Sequence, residues 1–73
     1  LAPPSQTGVL MSFRIRKDDP AISWMLPEAS WYRGKVTFTT LVESAADELT
    51  EAQCTTYLAL PSMHPGAFAE EVV

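Results

Sequence analysis

The sequence is poor in the residues that form disulfide bonds and structural metal sites. Its 73 residues include one cysteine, one histidine and three glycines. Because Cys54 has no second cysteine to join, no disulfide can form within the chain, and Cys54 with His64 cannot supply the four ligands of a protein zinc site. A chain this short buries only about 60% of the surface that it exposes when unfolded. The sequence therefore predicts one small domain with a narrow margin of stability, unless a partner adds to it.

Basic residues are absent after position 35. Five basic and three acidic residues leave residues 1–36 with a formal charge of +2, whereas residues 37–73 carry six acids and a charge of −6. General nucleic-acid binding is disfavoured, because neutralisation of phosphates dominates that affinity. No apolar run reaches the roughly 18–20 residues of a membrane span, and the N-terminus has no charged-then-apolar secretory signal. A reducing compartment, such as the cytoplasm or an organelle matrix, is favoured.

The composition is that of a folded protein, with 47% hydrophobic and 19% charged residues. The chain begins with Leu1, which suggests a trimmed or excerpted sequence. Residues 1–8 contain two prolines and a glycine and are predicted to form an extended arm. Residues 9–60 are expected to form a single small domain, and residues 61–73 a C-terminal tail or a short helix.

Two segments have the patterns of β-strands. Met11, Phe13 and Ile15 alternate with Ser12, Arg14 and Arg16, which gives one apolar and one basic face. Residues 35–42, "KVTFTTLV", are rich in β-branched and aromatic residues. The two strands would lie side by side in an antiparallel sheet that contains two or three strands in all. Its buried face would consist of Met11, Phe13, Ile15, Val36 and Phe38.

The clearest local signal is a helix start at "LTEAQC". Thr50 and Gln53 have the spacing of a capping box. Leu49 and Cys54 occupy the positions of a hydrophobic staple. The pattern predicts a helix over residues 51–60 with a buried stripe of Cys54, Tyr57 and Leu58, ended by Pro61. The predicted fold is α+β, a small antiparallel sheet packed by one helix, with extended N- and C-terminal arms.

The segment "AISWMLPEASWYRG", residues 21–34, concentrates the aromatic residues. Asp19 and Pro20 can open a short helix over residues 20–26 that Pro27 ends. We favour that helix narrowly over a strand; it would bury Ile22, Met25 and Leu26 and turn Trp24 away, whereas a strand would align Ile22, Trp24 and Leu26. Strand alternation lets only one of Trp31 and Tyr32 face inward.

Tryptophan, tyrosine and arginine are enriched at interface hot spots. The sequence therefore predicts a non-catalytic small subunit or protein-binding module of a larger assembly, which contacts a protein partner through residues 21–34 and the terminal arms. No cofactor and no metal are expected. The predicted partner-binding residues are Trp24, Met25, Trp31, Tyr32 and Arg33.

Two other classes of function stay open. The first is an acidic inhibitor or regulator of a nucleic-acid-binding enzyme, in which Glu43, Asp47, Glu48 and Glu51 imitate phosphates. The second is a small hydrolase that uses Cys54 and His64, although the helix pattern places Cys54 on a buried stripe, where a thiol is usually structural. A calcium loop is disfavoured because no glycine lies between Lys35 and His64.

Overall fold

One α-helix packs against one face of a four-stranded antiparallel sheet. The computed structural model describes residues 12–72. The strands are β1 (Ser12–Lys17), β2 (Ser23–Met25), β3 (Phe38–Thr39) and β4 (Phe68–Val72), and the helix is α1 (Glu51–Leu58). The α+β class is confirmed, with four strands where the sequence predicted two or three. The predicted N-terminal arm and Met11 lie outside the described residues.

The sheet has the order β3-β2-β1-β4, so β1 lies between two partners. It pairs with β2 through Arg16 and Trp24, and with β4 through Arg14 and Glu70. The alternation predicted for β1 is confirmed: Ile15 is fully buried on the helix side, and Arg14 and Arg16 lie on the opposite face. We call that opposite face, which carries Arg14, Arg16, Trp24, Phe68 and Glu70, the outer sheet face.

The core lies between the sheet and α1. It is a cluster of five buried side chains: Ile15, Met25, Leu49, Cys54 and Met63. The chain before the helix is held against β1, because Phe13 N donates to Leu49 O (2.9 Å) and Leu49 N donates to Phe13 O (3.1 Å). These two bonds anchor the irregular chain that follows a 3₁₀ turn at Val42–Ser44.

The start of α1 is the capping box that the sequence predicts. Gln53 N donates to Thr50 Oγ1 (3.1 Å), and Thr50 N donates to Gln53 Oε1 (2.8 Å). The helix ends at Leu58, two residues earlier than predicted. The amides of Ala59 and Leu60 instead donate to carbonyls three residues back, which tightens the last turn into 3₁₀ geometry before Pro61.

The favoured helix over residues 20–26 is wrong, because residues 23–25 form β2. Two proline-bounded turns are too short to form a stable helix alone, whereas a strand here gains backbone partners in both β1 and β3. Ser23 and Met25 face the core and Trp24 faces outward. Ile22, which either alternative placed on an apolar face, is half-exposed.

The long strand predicted over residues 35–42 is also wrong, because only Phe38 and Thr39 pair. Threonine hydroxyls compete for the backbone on both sides of the pair. Thr37 Oγ1 accepts from Tyr32 N at 2.7 Å, and Thr39 Oγ1 accepts from Leu41 N at 3.1 Å. A strand that the sequence did not predict, β4, pairs with β1 instead. The sequence predicted a C-terminal tail or a short helix for these residues.

Candidate functional site

The five residues that the sequence predicts at a partner interface lie in four different places. Met25 is 1% exposed in the core, so it is not available to a partner, and its prediction as a contact residue is corrected. The packing of β2 causes this, because Met25 and Ser23 point toward α1. Trp24 lies on the outer sheet face. Trp31 lies beside α1, and Tyr32 and Arg33 form an exposed turn.

On the outer sheet face, one carboxylate collects three donors. Glu70 accepts from Arg14 Nε (2.6 Å), Arg16 Nη1 (2.6 Å) and Trp24 Nε1 (3.0 Å). Its side chain is 21% exposed. Burial alone would raise the pKa of Glu70, but the hydrogen bonds from Arg14, Arg16 and Trp24 outweigh it and lower the pKa from 4.5 to about 2.

The aromatic rings of the outer sheet face are also paired within the chain. The Arg14 guanidinium lies 5.4 Å from the centre of the Trp24 ring, and that of Arg16 lies 5.8 Å from the Phe68 ring. Such cation–π contacts stabilise an arginine and an aromatic face together. Trp24 therefore has its indole N–H and one ring face satisfied without a partner protein.

A tight turn presents Tyr32 and Arg33. Tyr32 and Lys35 form an isolated antiparallel bridge, and both central residues have positive φ, 56° at Arg33 and 74° at Gly34. Positive φ at both central positions is the signature of a type I′ turn, which favours asparagine or glycine over arginine. Tyr32 is 67% exposed, and the Arg33 guanidinium lies 5.2 Å from its ring centre.

Next to this turn, Trp31 and Tyr57 form the corner of an open cleft of about 600 Å³. Their ring centres are 5.7 Å apart and their planes meet at 72°, an edge-to-face contact. The cleft runs between the turn and the C-terminal end of α1. Its lining comes from Glu28, Trp31, Gly34, Thr56, Tyr57 and residues 60–62. We call it the aromatic cleft.

A hydrogen bond holds the Trp31 ring in place, and a longer one links Tyr57 to Glu28. Trp31 Nε1 donates to Leu26 O at 2.7 Å, and the Tyr57 hydroxyl donates to Glu28 Oε1 at a long 3.4 Å. Burial, and then the charge and hydrogen bond of Glu28, raise the pKa of Tyr57. On the far side, Ser62 Oγ accepts from Val36 N at 3.4 Å. The cleft thus combines a rigid aromatic corner with one exposed carboxylate.

Sequence reasoning found Trp31 but missed Glu28, Tyr57 and residues 60–62 as parts of the same surface. Tyr57 was predicted on the buried stripe of the helix; it is half-buried, with one side toward the core and the other toward the cleft. Glu28 lies in a 3₁₀ turn at Glu28–Ser30 that the sequence marks only as a loop. Helical periodicity specifies an inward side, but it does not reveal that a distant loop will lie against that side.

Cys54 and His64 are poorly placed for nucleophilic chemistry. Cys54 is 1% exposed. Burial, with a smaller effect from the charge of Glu51, raises the pKa of the Cys54 thiol, which disfavours the reactive thiolate. His64 Nδ1 accepts from Gly66 N at 2.9 Å within its own turn. Both observations favour structural roles.

The predicted acidic set is exposed. Glu43, Asp47, Glu48 and Glu51 all lie at the surface, and two of them, Asp47 and Glu48, border a second depression of about 270 Å³. Among residues 12–72, no group of three or more histidine, cysteine, aspartate or glutamate side chains is arranged to hold a metal ion. In the same part of the chain, no helix is long and apolar enough to cross a membrane.

Comparison with known proteins leaves the aromatic cleft to be interpreted from its own geometry. No protein-family model matches the chain, and neither the curated proteins nor the solved structures contain a significant match.

Proposed function

We propose that this chain is a non-catalytic protein-binding module, a small subunit of a larger assembly, and that the aromatic cleft is its recognition surface. The observation that carries the proposal is the cleft itself: two rigid aromatic rings line an open concavity of about 600 Å³ at the surface. Binding sites for ligands and peptide side chains are typically concavities of this size, with apolar walls and a few polar groups.

The proposal assigns the predicted contact residues unequally. Trp31 forms the wall of the cleft, and Tyr32 and Arg33 lie next to it on the exposed turn. Buried aromatic anchors surrounded by a polar rim are the usual anatomy of an interface. Trp24 is left out because Glu70 and Arg14 already satisfy it. The free, buried thiol of Cys54 fits an assembly in a reducing compartment.

Two matched substitutions on α1 test the proposal. Thr56 lines the cleft and Thr55 does not. Both are exposed, and each hydroxyl donates to the carbonyl four residues back at 3.2 Å. Thr56→Arg and Thr55→Arg therefore remove the same kind of hydrogen bond and add the same charge, but only Thr56→Arg fills the cleft. The i,i+4 pair that Thr55→Arg gains with Glu51 contributes only about 0.2–0.5 kcal/mol.

The measurement is co-purification of the tagged full chain with its native source material. We expect wild type and Thr55→Arg to retain one partner at the same fixed stoichiometry, and Thr56→Arg to lose it by about tenfold or more, as for the loss of an interface anchor. Equal retention by both variants would rule out the aromatic cleft as the recognition surface.

Salt dependence separates this proposal from the acidic-regulator alternative. Binding that depends on phosphate mimicry by the exposed acids should weaken steeply from low to physiological ionic strength. Binding anchored by Trp31 and Tyr57 should change only about two- to threefold over the same range, since apolar burial is little screened. A steep salt dependence that Thr56→Arg leaves unchanged would favour the acidic alternative.

A further inference from the structure

Over the range that the structure describes, the two rings of the aromatic cleft lack a feature that four other aromatic rings share, a basic side chain of the same chain over the ring. Within residues 12–72, Trp24, Phe68, Phe38 and Tyr32 each have a basic side chain of this chain over the ring, at 5.2–5.8 Å from its centre. Trp31 and Tyr57 have no such partner among the described residues. Because they meet edge to face, the ring that offers its edge keeps both faces outside the pair.

The carboxylate of the aromatic cleft also lacks a basic partner among the described residues. Glu28 is exposed, and its side chain accepts only the long 3.4 Å bond from the Tyr57 hydroxyl among the described contacts. No basic side chain lines the cleft in the described part of the chain; Arg33 and Lys35 flank Gly34 in sequence without lining it. The carboxylate of Glu28 therefore lies beside the Tyr57 hydroxyl, and no basic side chain among residues 12–72 lines the cleft with it.

We propose that the aromatic cleft binds an arginine side chain from an extended segment of the partner protein, with the guanidinium stacked on the Trp31–Tyr57 corner and paired with Glu28. This inference rests on the proposed function, because it names the chemistry of the partner at the same surface. The partner segment supplies the kind of cation that Trp24, Tyr32, Phe38 and Phe68 obtain from within the chain.

Arginine suits this arrangement better than lysine. Its planar guanidinium can lie flat on an aromatic ring and donate sideways to a carboxylate at the same time, and it is more weakly hydrated than an ammonium group. The hydroxyl of Tyr57 lies 3.4 Å from the Glu28 carboxylate. A guanidinium on the Tyr57 ring would therefore reach Glu28 without leaving the ring.

The test uses the wild-type full chain and three blocked tripeptides, glycine–X–glycine with an acetylated and an amidated end. X is arginine, lysine, or citrulline, which has the shape of arginine without its charge. Binding is followed by NMR at the Trp31 indole N–H and the Gly34 amide, with the Trp24 indole as a reporter outside the cleft.

We expect saturable shifts at Trp31 and Gly34 with the arginine tripeptide, and little change at Trp24. Citrulline should bind about tenfold more weakly, because it loses both the ion pair and the cation–π contact. Glu28→Gln should weaken binding of the arginine tripeptide about threefold to fivefold, the effect of one exposed ion pair. The matched control, Glu43→Gln, removes an exposed charge away from the cleft and should change affinity less than twofold.

Three results would overturn the inference. Citrulline binding as tightly as arginine would show an apolar cleft without cation selectivity. Lysine binding as tightly as arginine would remove the role of the planar guanidinium. The absence of saturable shifts at Trp31 with any tripeptide would exclude the cleft as a side-chain site. In each case, selective loss of the native partner by Thr56→Arg would leave the proposed function standing, so the two failures are distinguishable.

Discussion

The outer sheet face and the aromatic cleft each contain a tryptophan, a second aromatic ring and a glutamate. Only on the outer sheet face do basic side chains of the described residues pair with them. On the outer sheet face, Glu70 receives three hydrogen bonds of 2.6–3.0 Å and Trp24 has an arginine over its ring. In the aromatic cleft, Glu28 receives one long bond and the rings have no cation from the described residues. Residue type alone therefore does not mark an interface. In our proposal, the aromatic cleft differs from the outer sheet face because its rings and its carboxylate have no basic partner among residues 12–72.

The difference arises from how each group is positioned. Strand pairing places Arg14 directly opposite Glu70 and Arg16 opposite Trp24, so sheet register assembles the outer cluster. The cleft is assembled by a loop that meets a helix, where no repeating register brings complementary side chains together. Four predictions test this contrast, in order of decreasing expected effect on stability.

Met25→Ala should destabilise both the outer sheet face and the aromatic cleft. Met25 is the last residue of β2, and its side chain lies in the core on which Trp31 and Tyr57 pack. Truncation of a buried methionine costs about 2–5 kcal/mol of unfolding free energy. Urea denaturation followed by circular dichroism measures the loss. Ile22→Ala, three positions earlier at a half-exposed site, is the control and should cost under about 1 kcal/mol. Equal losses would contradict the orientation of β2.

Glu70→Gln should break the completed region while leaving the aromatic cleft intact. The substitution leaves the guanidinium group of Arg14 without its counter-charge, whereas Arg16 keeps its ion pair with Asp18 at 2.6 Å. We expect a loss of about 1–2 kcal/mol, discounted for partial exposure. Glu71→Gln changes the same charge at an exposed neighbour and should stay within about 0.5 kcal/mol. A neutral Glu70→Gln would mean that the outer cluster adds nothing to stability.

Acid should open the outer sheet face in wild type. The folded-state pKa of Glu70, about 2, lies below its ordinary value of 4.5. Its contribution is therefore fully present above pH 4.5 and is lost as the pH falls toward 2. The stability gap of about 1–2 kcal/mol between wild type and Glu70→Gln should close across that range. Urea titrations at pH 5.5 and 2.5 measure it, and a gap of constant size would contradict the assignment.

Tyr32→Ala should have the smallest effect. The ring is 67% exposed, and the hydrogen bond of residue 32 to Thr37 uses its backbone N–H, which alanine keeps. Stability should change by less than about 0.5 kcal/mol, while partner co-purification falls if the turn forms the rim of the interface. Thermal denaturation checks the first expectation; a loss above 1 kcal/mol would show that Tyr32 supports the fold.

Local signals predicted the parts of the fold that depend on local chemistry. The capping box of Thr50 and Gln53, the alternation of β1 and the burial of Cys54 are confirmed. The errors occurred where distant partners decide. Residues 23–25 became a strand because β1 and β3 flank them, and residues 68–72 joined the sheet because β1 had an open side. Neither partner is visible within a short window of sequence.

The candidate surface was predictable only in part for the same reason. The composition of residues 21–34 identified Trp31 and Tyr32, but it also selected Met25 and Trp24. Met25 is buried in the core, and the indole N–H of Trp24 already donates to Glu70. No pattern links Glu28 to Tyr57, which lie 29 positions apart and meet through tertiary packing. Whether an aromatic residue is left over depends on its neighbours in space.

The pairing of β1 with β4 also sets the order in which the sheet can assemble. Arg14 and Glu70 are 56 positions apart, and closing a loop of that length costs about 3–4 kcal/mol of chain entropy, far more than the adjacent β1–β2 turn. We expect β1 and β2 to associate first and β4 to dock last and detach first. Native-state hydrogen exchange should then show faster exchange in β4 than in β2. Whenever β4 leaves, β1 becomes an unpaired edge, and the same strand from a second molecule could fill its place by domain swapping.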